Sequence, residues 1–230
     1  MKIEVLYDSV CGLYGDSFNI KYLSMCSNSL KIINTDLNNT PAFLKEDIKM
    51  IYIGSMTERT EEIVIKKLLP YKDKIRSLIE KGVIFLVTGN AIEIFGESIY
   101  RNGKEIEGLN IFNFYTKYDY ENRYHELYLG EYENTKIVGF KSQFSYFYNI
   151  NEEPLFKTIK GMGNDKSTSN EGIRKNNFMA TTILGPILIQ NPYFTKKILK
   201  LLGLKDELKF ENSIIKAYDT RLKEYENLNF

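Results

Sequence analysis

The spacing of apolar positions changes along the chain, and the change divides it into two textures. In the first 96 residues, apolar runs of strand length alternate with stretches spaced for helices. Residues 2–7 (K-I-E-V-L-Y) predict a first strand, and residues 8–16 a glycine-containing loop. Asp16 or Ser17 suits the N-cap of a helix whose apolar face holds Phe18, Ile20, Tyr22, Leu23 and Cys26. Residues 30–34 and 50–53 give two more strands, the latter stopping at Gly54-Ser55-Met56-Thr57. Residues 61–82 read as helix, broken near Pro70 and restarted so that Ile75, Leu78 and Ile79 face inward, with Gly82 as the stop. Such alternation predicts an α/β fold with a mainly parallel sheet, in which sites form at the carboxyl ends of the strands. The loops 8–16, 54–57 and 88–90 are therefore expected on one rim.

The stretch 82–96, G-V-I-F-L-V-T-G-N-A-I-E-I-F-G, carries the functional question. Residues 83–87 form an unbroken apolar run, the pattern of a strand buried on both faces. Thr88-Gly89-Asn90 breaks it, and Ala91, Ile92, Ile94 and Phe95 follow at the spacing of a short helix before Gly96. Strand, sharp turn and helix make a nucleophile elbow, in which a strained residue projects its side chain into a cleft. Here the tip is glycine, which has nothing to project.

From Glu97 to about Tyr148 the pattern shifts to short aromatic and β-branched stretches, with Asn102-Gly103 as a tight hairpin turn and Asn134 at another. This part is expected to be antiparallel. Residues 155–159 and 178–184 are further strand candidates, separated by Gly161-Met162-Gly163-Asn164 and a polar loop, 165–172. Gly161–164 lacks the lysine and following helix of a phosphate-binding loop, so a turn is expected. Residues 194–202 repeat at helical spacing, with Lys196, Lys197 and Lys200 on the solvated face. Leu208, Ile214, Ile215, Tyr218 and Leu222 predict a last amphipathic helix, which packs on its own domain or on another chain. No repeat or low-complexity linker interrupts residues 1–230, so one domain is expected: a parallel half with the elbow (1–96), a β-rich half (97–191) and C-terminal helices (192–230).

Composition narrows the function. With 230 residues and 43% hydrophobic content the chain can bury a sizeable core. Lysine plus arginine (31) nearly balance aspartate plus glutamate (30), which removes the broad field of a nucleic-acid or anionic-membrane binder. The tyrosines and phenylalanines of residues 100–148 therefore read as sheet packing rather than base-stacking platforms. No apolar run reaches the ~18 residues of a membrane span and no charged-then-apolar leader is present, so the cytoplasm is the default location. Two cysteines, Cys11 and Cys26, and one histidine, His125, are too few for a metal site or a disulfide framework. Neither a metal nor a cofactor is expected.

The order Tyr14-Gly15-Asp16…Asn19-Ile20, Gly54…Glu58-Arg59, Phe95-Gly96, Ile106-Glu107-Gly108-Leu109…Tyr115-Thr116-Lys117, Gly139-Phe140, Gly161…Gly163-Asn164, Glu171-Gly172 and Gly185-Pro186…Asn191-Pro192 resembles the class I glutamine amidotransferases of the cobyric acid synthase type. Within them it is similar to the glutaminase subunits of lipid II isoglutaminyl synthases, which work with a Mur-ligase-like partner. The resemblance runs through nearly the whole chain and implies a flavodoxin-like fold with a mainly parallel central sheet, flanking helices and an antiparallel portion. It also implies chemistry: an elbow cysteine attacks the glutamine amide, a histidine before the Gly-Pro pair activates it, and backbone donors hold the oxyanion, so that ammonia passes to the partner.

Alignment through Phe95-Gly96 puts Gly89 at the cysteine position, and alignment through Gly185-Pro186 puts Leu184 at the histidine position. Gln143 stands where the family usually has histidine, and the family's glycine run at Gly54 carries Ser55 and Met56. Glycine cannot form an acyl-enzyme and leucine cannot move a proton. The implied reading is a vestigial pocket of Gly54, Ser55, Met56, Thr88, Asn90 and Gln143, which takes a small polar ligand or none, in a non-catalytic binding or regulatory subunit of a Mur-ligase-like or cobyric-acid-synthase-like amidation system. Thr88 and Asn90 serve there as ligand contacts or as helix caps. The alternative is an active glutaminase or other hydrolase with a relocated nucleophile, Cys11 or Thr88, for which the sequence offers no evident base because His125 falls in the antiparallel part.

Overall fold

β1 (Lys2–Leu6), β2 (Lys31–Thr35), β3 (Ile48–Ile53) and β4 (Ile84–Thr88) run parallel at the centre of the computed structural model. The structure describes residues 1–228; residues 229 and 230 of the expected C-terminal segment lie outside the described residues. Parallel neighbours need a crossover, and helices α1 (Phe18–Cys26), α2 (Glu58–Leu68) and α3 (Lys72–Glu80) supply two of them. α2 starts three residues before the spacing predicts, because Thr57 caps it: its Oγ1 accepts from the Thr60 N–H at 3.2 Å. Pro70 sits in a 3-10 turn between α2 and α3. Ser17 stands at the start of α1 but makes no side-chain cap bond, and Asp16 is committed elsewhere.

Side chains of these strands alternate between two cores, as the period of two requires. Ile51, Ile53, Phe85 and Val87 enter one core with α2 and α3, while Met50, Tyr52, Ile84 and Leu86 enter the other with α1. Both faces are thus buried.

The β-rich excursion contains β5 (Ser98–Arg101), β6 (Lys104–Glu107), β7 (Tyr115–Tyr118), β8 (Tyr124–Tyr132), β9 (Thr135–Gln143), β10 (Ser145–Tyr148), β11 (Phe156–Lys160) and β12 (Asn170–Glu171). Asn102 (φ 51°) and Gly103 (φ 69°) form the β5–β6 turn with two positive φ angles, the twist-matched hairpin. The strands form two four-stranded sheets, ordered β10-β7-β5-β6 and β12-β11-β8-β9. One pairing departs from the antiparallel expectation: β5 and β7 are parallel, because the chain turns back after β6 but passes β5 and returns on its far side.

The chain then returns to the first sheet. β13 (Ile173–Lys175) is its antiparallel edge, and β14 (Phe178–Thr181) lies parallel beside β4, giving the order β13-β14-β4-β3-β1-β2. β14 stops at Thr181, three residues short of the predicted strand, and residues 182–184 bend across the sheet end. Helices α4 (Ile187–Gln190), α5 (Pro192–Leu201) and α6 (Glu211–Asn227) close the second core. α6 packs on its own domain: Ile214, Tyr218 and Tyr225 are buried, and the Tyr218 hydroxyl donates to the Lys136 carbonyl at 2.8 Å. Lys197 and Lys200 are exposed on α5 as expected, Lys196 is half-buried, and all three pair with carboxylates.

Candidate functional site

The carboxyl ends of β1, β3, β4 and β14 deliver four loops to one edge of the sheet. β4 ends in register with β14, Thr88 opposite Thr181, so Gly89 and the 182–184 bend meet there. Gly89 has φ +64°, a conformation that costs a residue with a side chain about 1–3 kcal/mol. The helix that follows, Gly89–Phe95, is 3-10 rather than α. A Cβ built on Gly89 would lie 2.5 Å from the Ser55 Cβ and 3.4 Å from Leu184 Cδ2. Only glycine suits this tip while serine occupies position 55. Leu184 is held in place as its N–H donates to the Phe140 carbonyl at 2.9 Å, which ties β14's exit to β9.

Hydrogen bonds knit the three predicted loops into one rim. Asp16 is the hub: its Oδ2 accepts from the Ser55 N–H and from Thr88 Oγ1, each at 2.9 Å. Burial, which these bonds only partly offset, pushes its carboxyl up to about 6. Leu13 N–H donates to the Ser55 carbonyl, Ser55 Oγ returns a bond to the Leu13 carbonyl at 2.9 Å, and Met56 N–H donates to Asn90 Oδ1 at 2.9 Å. Asn90 thus acts neither as a helix cap nor as a free ligand contact, since its Nδ2 donates to Glu61 Oε1 at 3.2 Å.

A cleft of about 90 Å³ opens above this rim, between the elbow and the bend from β9 to β10. Ser55, Met56, Gly89, Asn90, Gln143 and Leu184 line it, whereas Gly54 and Thr88 are packed one layer behind. A Cβ on Gly54 would lie 2.4 Å from the Cys11 carbonyl oxygen, so close loop packing explains that glycine. Glu93, on the elbow's helix, reaches the cleft floor. Its Oε1 accepts from Ser145 Oγ (2.7 Å) and the Tyr118 hydroxyl (3.3 Å), and Oε2 from Thr116 Oγ1 (3.2 Å). Burial nevertheless raises its carboxyl to about 7, outweighing these hydrogen bonds and the nearby Arg101, which itself pairs with Glu61 at 2.8 Å and with Glu62 at 3.1 Å. Glu93, Ser145 and Tyr118 did not figure among the pocket residues expected from the sequence. The signal was an acid alone inside the apolar run 91–95, which reads as the solvated side of a helix unless the fold is known.

Both candidate relocated nucleophiles are buried. Cys11 is buried against Met56, 3.7 Å between sulfurs, and burial pushes its thiol up to about 12. Thr88 is fully buried, and its hydroxyl is engaged by Asp16 and Tyr52. His125 is exposed on β8, where Nδ1 meets Ser142 Oγ at 2.9 Å and the ring sits edge-on to Phe140. Gly161–164 is a structural turn: Lys141 Nζ donates to the Met162 and Gly163 carbonyls at 3.0 and 2.7 Å. Among the described residues, no cluster of histidine, cysteine and acidic side chains could hold a metal ion, and no helix is long and apolar enough to cross a membrane.

Residues 2–192 match the CobB/CobQ-like glutamine amidotransferase domain. The chain is 26% identical over 202 residues to the lipid II isoglutaminyl synthase (glutamine-hydrolyzing) subunit GatD of Staphylococcus aureus, across 86% of this chain and 83% of that protein. The Streptococcus pneumoniae subunit of the same name is 24% identical over 198 residues, across 83% of this chain and 76% of that one. The fold is shared with a crystallised glutamine amidotransferase (TM-score 0.56, 15% identity, 88% of this chain and 99% of that). It is shared too with PurLQS from Thermotoga maritima (TM-score 0.56, 11% identity, 96% and 98%). From strand order to elbow and from first strand to the Asn191-Pro192 pair, the chain belongs to the CobB/CobQ-like glutamine amidotransferase family.

Proposed function

We propose that this amidotransferase fold no longer hydrolyses glutamine and serves as a binding or regulatory subunit of an amidation system, with a Mur-ligase-like or cobyric-acid-synthase-like partner. The observation that carries the reading is the contact of Gly89 with Ser55 and Leu184. In this reading Gly89 and Leu184 occupy the positions of the family's nucleophile and base. Amide cleavage by this route needs a sulfur or oxygen nucleophile within hydrogen-bond reach of a base. The elbow tip carries no side chain, and Thr88, whose hydroxyl bonds the Asp16 carboxylate, is fully buried behind the cleft, while Ser55 fills the space a tip side chain would need. The partner class is supported by the printed names of the two relatives, each a subunit of a synthase.

Glutamate release from glutamine, measured on the purified chain and again with any ligase-like chain that co-purifies, tests the proposal. It predicts no release above a protein-free control in either assay. Saturable release would instead favour an active enzyme with a relocated nucleophile, and a glutamine-like electrophile followed by peptide mapping would then identify the modified residue.

A further inference from the structure

A second cavity, of about 240 Å³, lies at the amino ends of β4 and β14, the opposite end of the sheet from the elbow. The β8–β9 turn, the β13–β14 turn and the second half of α5 wall it, and the buried Tyr132 and Met179 belong to its lining. The Phe85 N–H fixes one wall by donating to the Asn177 carbonyl at 3.0 Å.

The chain as a whole is nearly neutral, but this cavity is not. Arg174, Lys197 and Lys200 line it against one carboxylate, Glu133. Lys200 is explained without a ligand: it sits on the last turn of α5, where a cation offsets the helix dipole, and pairs with Asp206 at 3.0 Å. Arg174 and Lys197 must share Glu133. Lys197 Nζ donates to Glu133 Oε2 at 2.6 Å, whereas Arg174 Nη1 stays 3.8 Å from Glu133 Oε1. Counting Asp206 with Lys200 still leaves one cation over. The Arg174 guanidinium makes no hydrogen bond among the described residues and lies over the Tyr132 ring, 5.4 Å from its centroid, a contact that spends none of its N–H groups.

The other polar groups add more donors than acceptors. The Tyr132 hydroxyl has no hydrogen-bond partner among the described residues. Asn176 and Asn177 each donate one Nδ2 hydrogen, to the Ile79 (3.2 Å) and Gly82 (2.7 Å) carbonyls, and each keeps a second N–H beside its amide oxygen. Glu133 is the one acid of the lining, and it already faces both cations. Sign and unspent donors therefore select an anion rich in oxygen. A guanidinium fork matches two oxygens of one oxyanion. A carboxylate would stop there, with one charge, whereas a phosphate monoester brings a third oxygen for Lys197 or Tyr132 and a charge of about −1.5 to −2. The space equals roughly eight waters, which leaves room for an organic group beside the phosphate.

We propose that this cavity binds a small phosphate monoester, its oxygens on the Arg174 fork, Lys197 and the Tyr132 hydroxyl and its organic group against Met179. The site is separate from the elbow and stands whether or not the cleft there is catalytically vacant.

The test titrates the whole chain with phenyl phosphate at fixed ionic strength, following backbone amide shifts by nuclear magnetic resonance, with inorganic phosphate, benzoate and phosphatidate-containing vesicles as parallel arms. Saturable shifts at Arg174, Asn176 and Asn177 are expected with phenyl phosphate, weaker ones with inorganic phosphate and none that saturate with benzoate. Arg174→Lys keeps the charge but removes the fork and should weaken phenyl phosphate about tenfold, Arg174→Gln by more, and Lys104→Gln, exposed on β6, not at all. Lys197 is exposed, so Lys197→Gln, also expected to weaken binding, keeps the test open if the Arg174 variants fail to fold. The assignment is overturned by the absence of saturable shifts with phenyl phosphate, by equal shifts with benzoate, or by affinity that the cavity variants leave unchanged. Binding to the vesicles without binding to the free ester would also overturn it, in favour of a membrane surface.

Discussion

Ser55 and Gly89 exclude each other's alternatives: a Cβ at position 89 would stand 2.5 Å from the Ser55 Cβ, a distance that real Cβ atoms do not tolerate. The two residues follow different strands, β3 and β4, and meet because the strands are parallel neighbours. A side chain at the elbow tip therefore requires a change at position 55.

Gly89→Cys is expected to destabilise the fold by about 2 kcal/mol, from the left-handed backbone and the collision with serine. Adding Ser55→Gly should recover at least about 1 kcal/mol of that loss. Urea unfolding of wild type, both single variants and the double variant gives the coupling. Additivity within about 0.3 kcal/mol would deny the contact its effect.

On the proposed reading, glutaminase chemistry at this elbow needs more than a sulfur. Gly89→Cys with Ser55→Gly and Leu184→His should release glutamate from glutamine at a measurable rate, whereas Gly89→Cys alone should not. A colorimetric glutamate assay separates the two. Activity in the single variant would mean that position 184 is not where the base is missing.

Arg101 and Glu61 form a buried ion pair, 3% and 0% exposed at their side chains. Arg101→Ala leaves Glu61 and the nearby Glu93 without their cation and should cost about 3–5 kcal/mol. Thermal or denaturant unfolding measures it, and a cost under about 1 kcal/mol would contradict the network.

Burial raises Glu93 from 4.5 to about 7. The groups that face it are the hydroxyls of Thr116, Tyr118 and Ser145 and the charges of Glu61 and Arg101. A carboxyl with a raised folded value binds its proton more tightly when folded, so its stabilising share is full below 4.5 and lost as pH rises through about 7. The stability of wild type relative to Glu93→Gln should therefore fall between pH 4.5 and 7. A difference that stays flat or grows across that window would show that Glu93 titrates as an ordinary acid.

The parallel half was legible in the sequence because buried strands and amphipathic helices differ in period, and because turns such as Asn102-Gly103 have few conformations. The shared rim of loops 8–16, 54–57 and 88–90 followed from strand direction alone. Two things were not legible. The return of β14 to the first sheet depends on pairing Phe178 with Phe85 and Thr181 with Thr88, far apart in the chain, which no local pattern encodes. The engagement of Glu93 and Asp16 inside the site depends on neighbours from β7, β10 and the loop after β3, so an acid that the pattern assigns to solvent becomes part of the cleft.

Catalytic vacancy is tested most directly by following glutamate release from saturating glutamine by the purified wild-type chain, alone and with any ligase-like chain that co-purifies. The account predicts a rate indistinguishable from the protein-free control, unchanged by Cys11→Ser or Thr88→Val. A saturable rate that either substitution abolishes would contradict it.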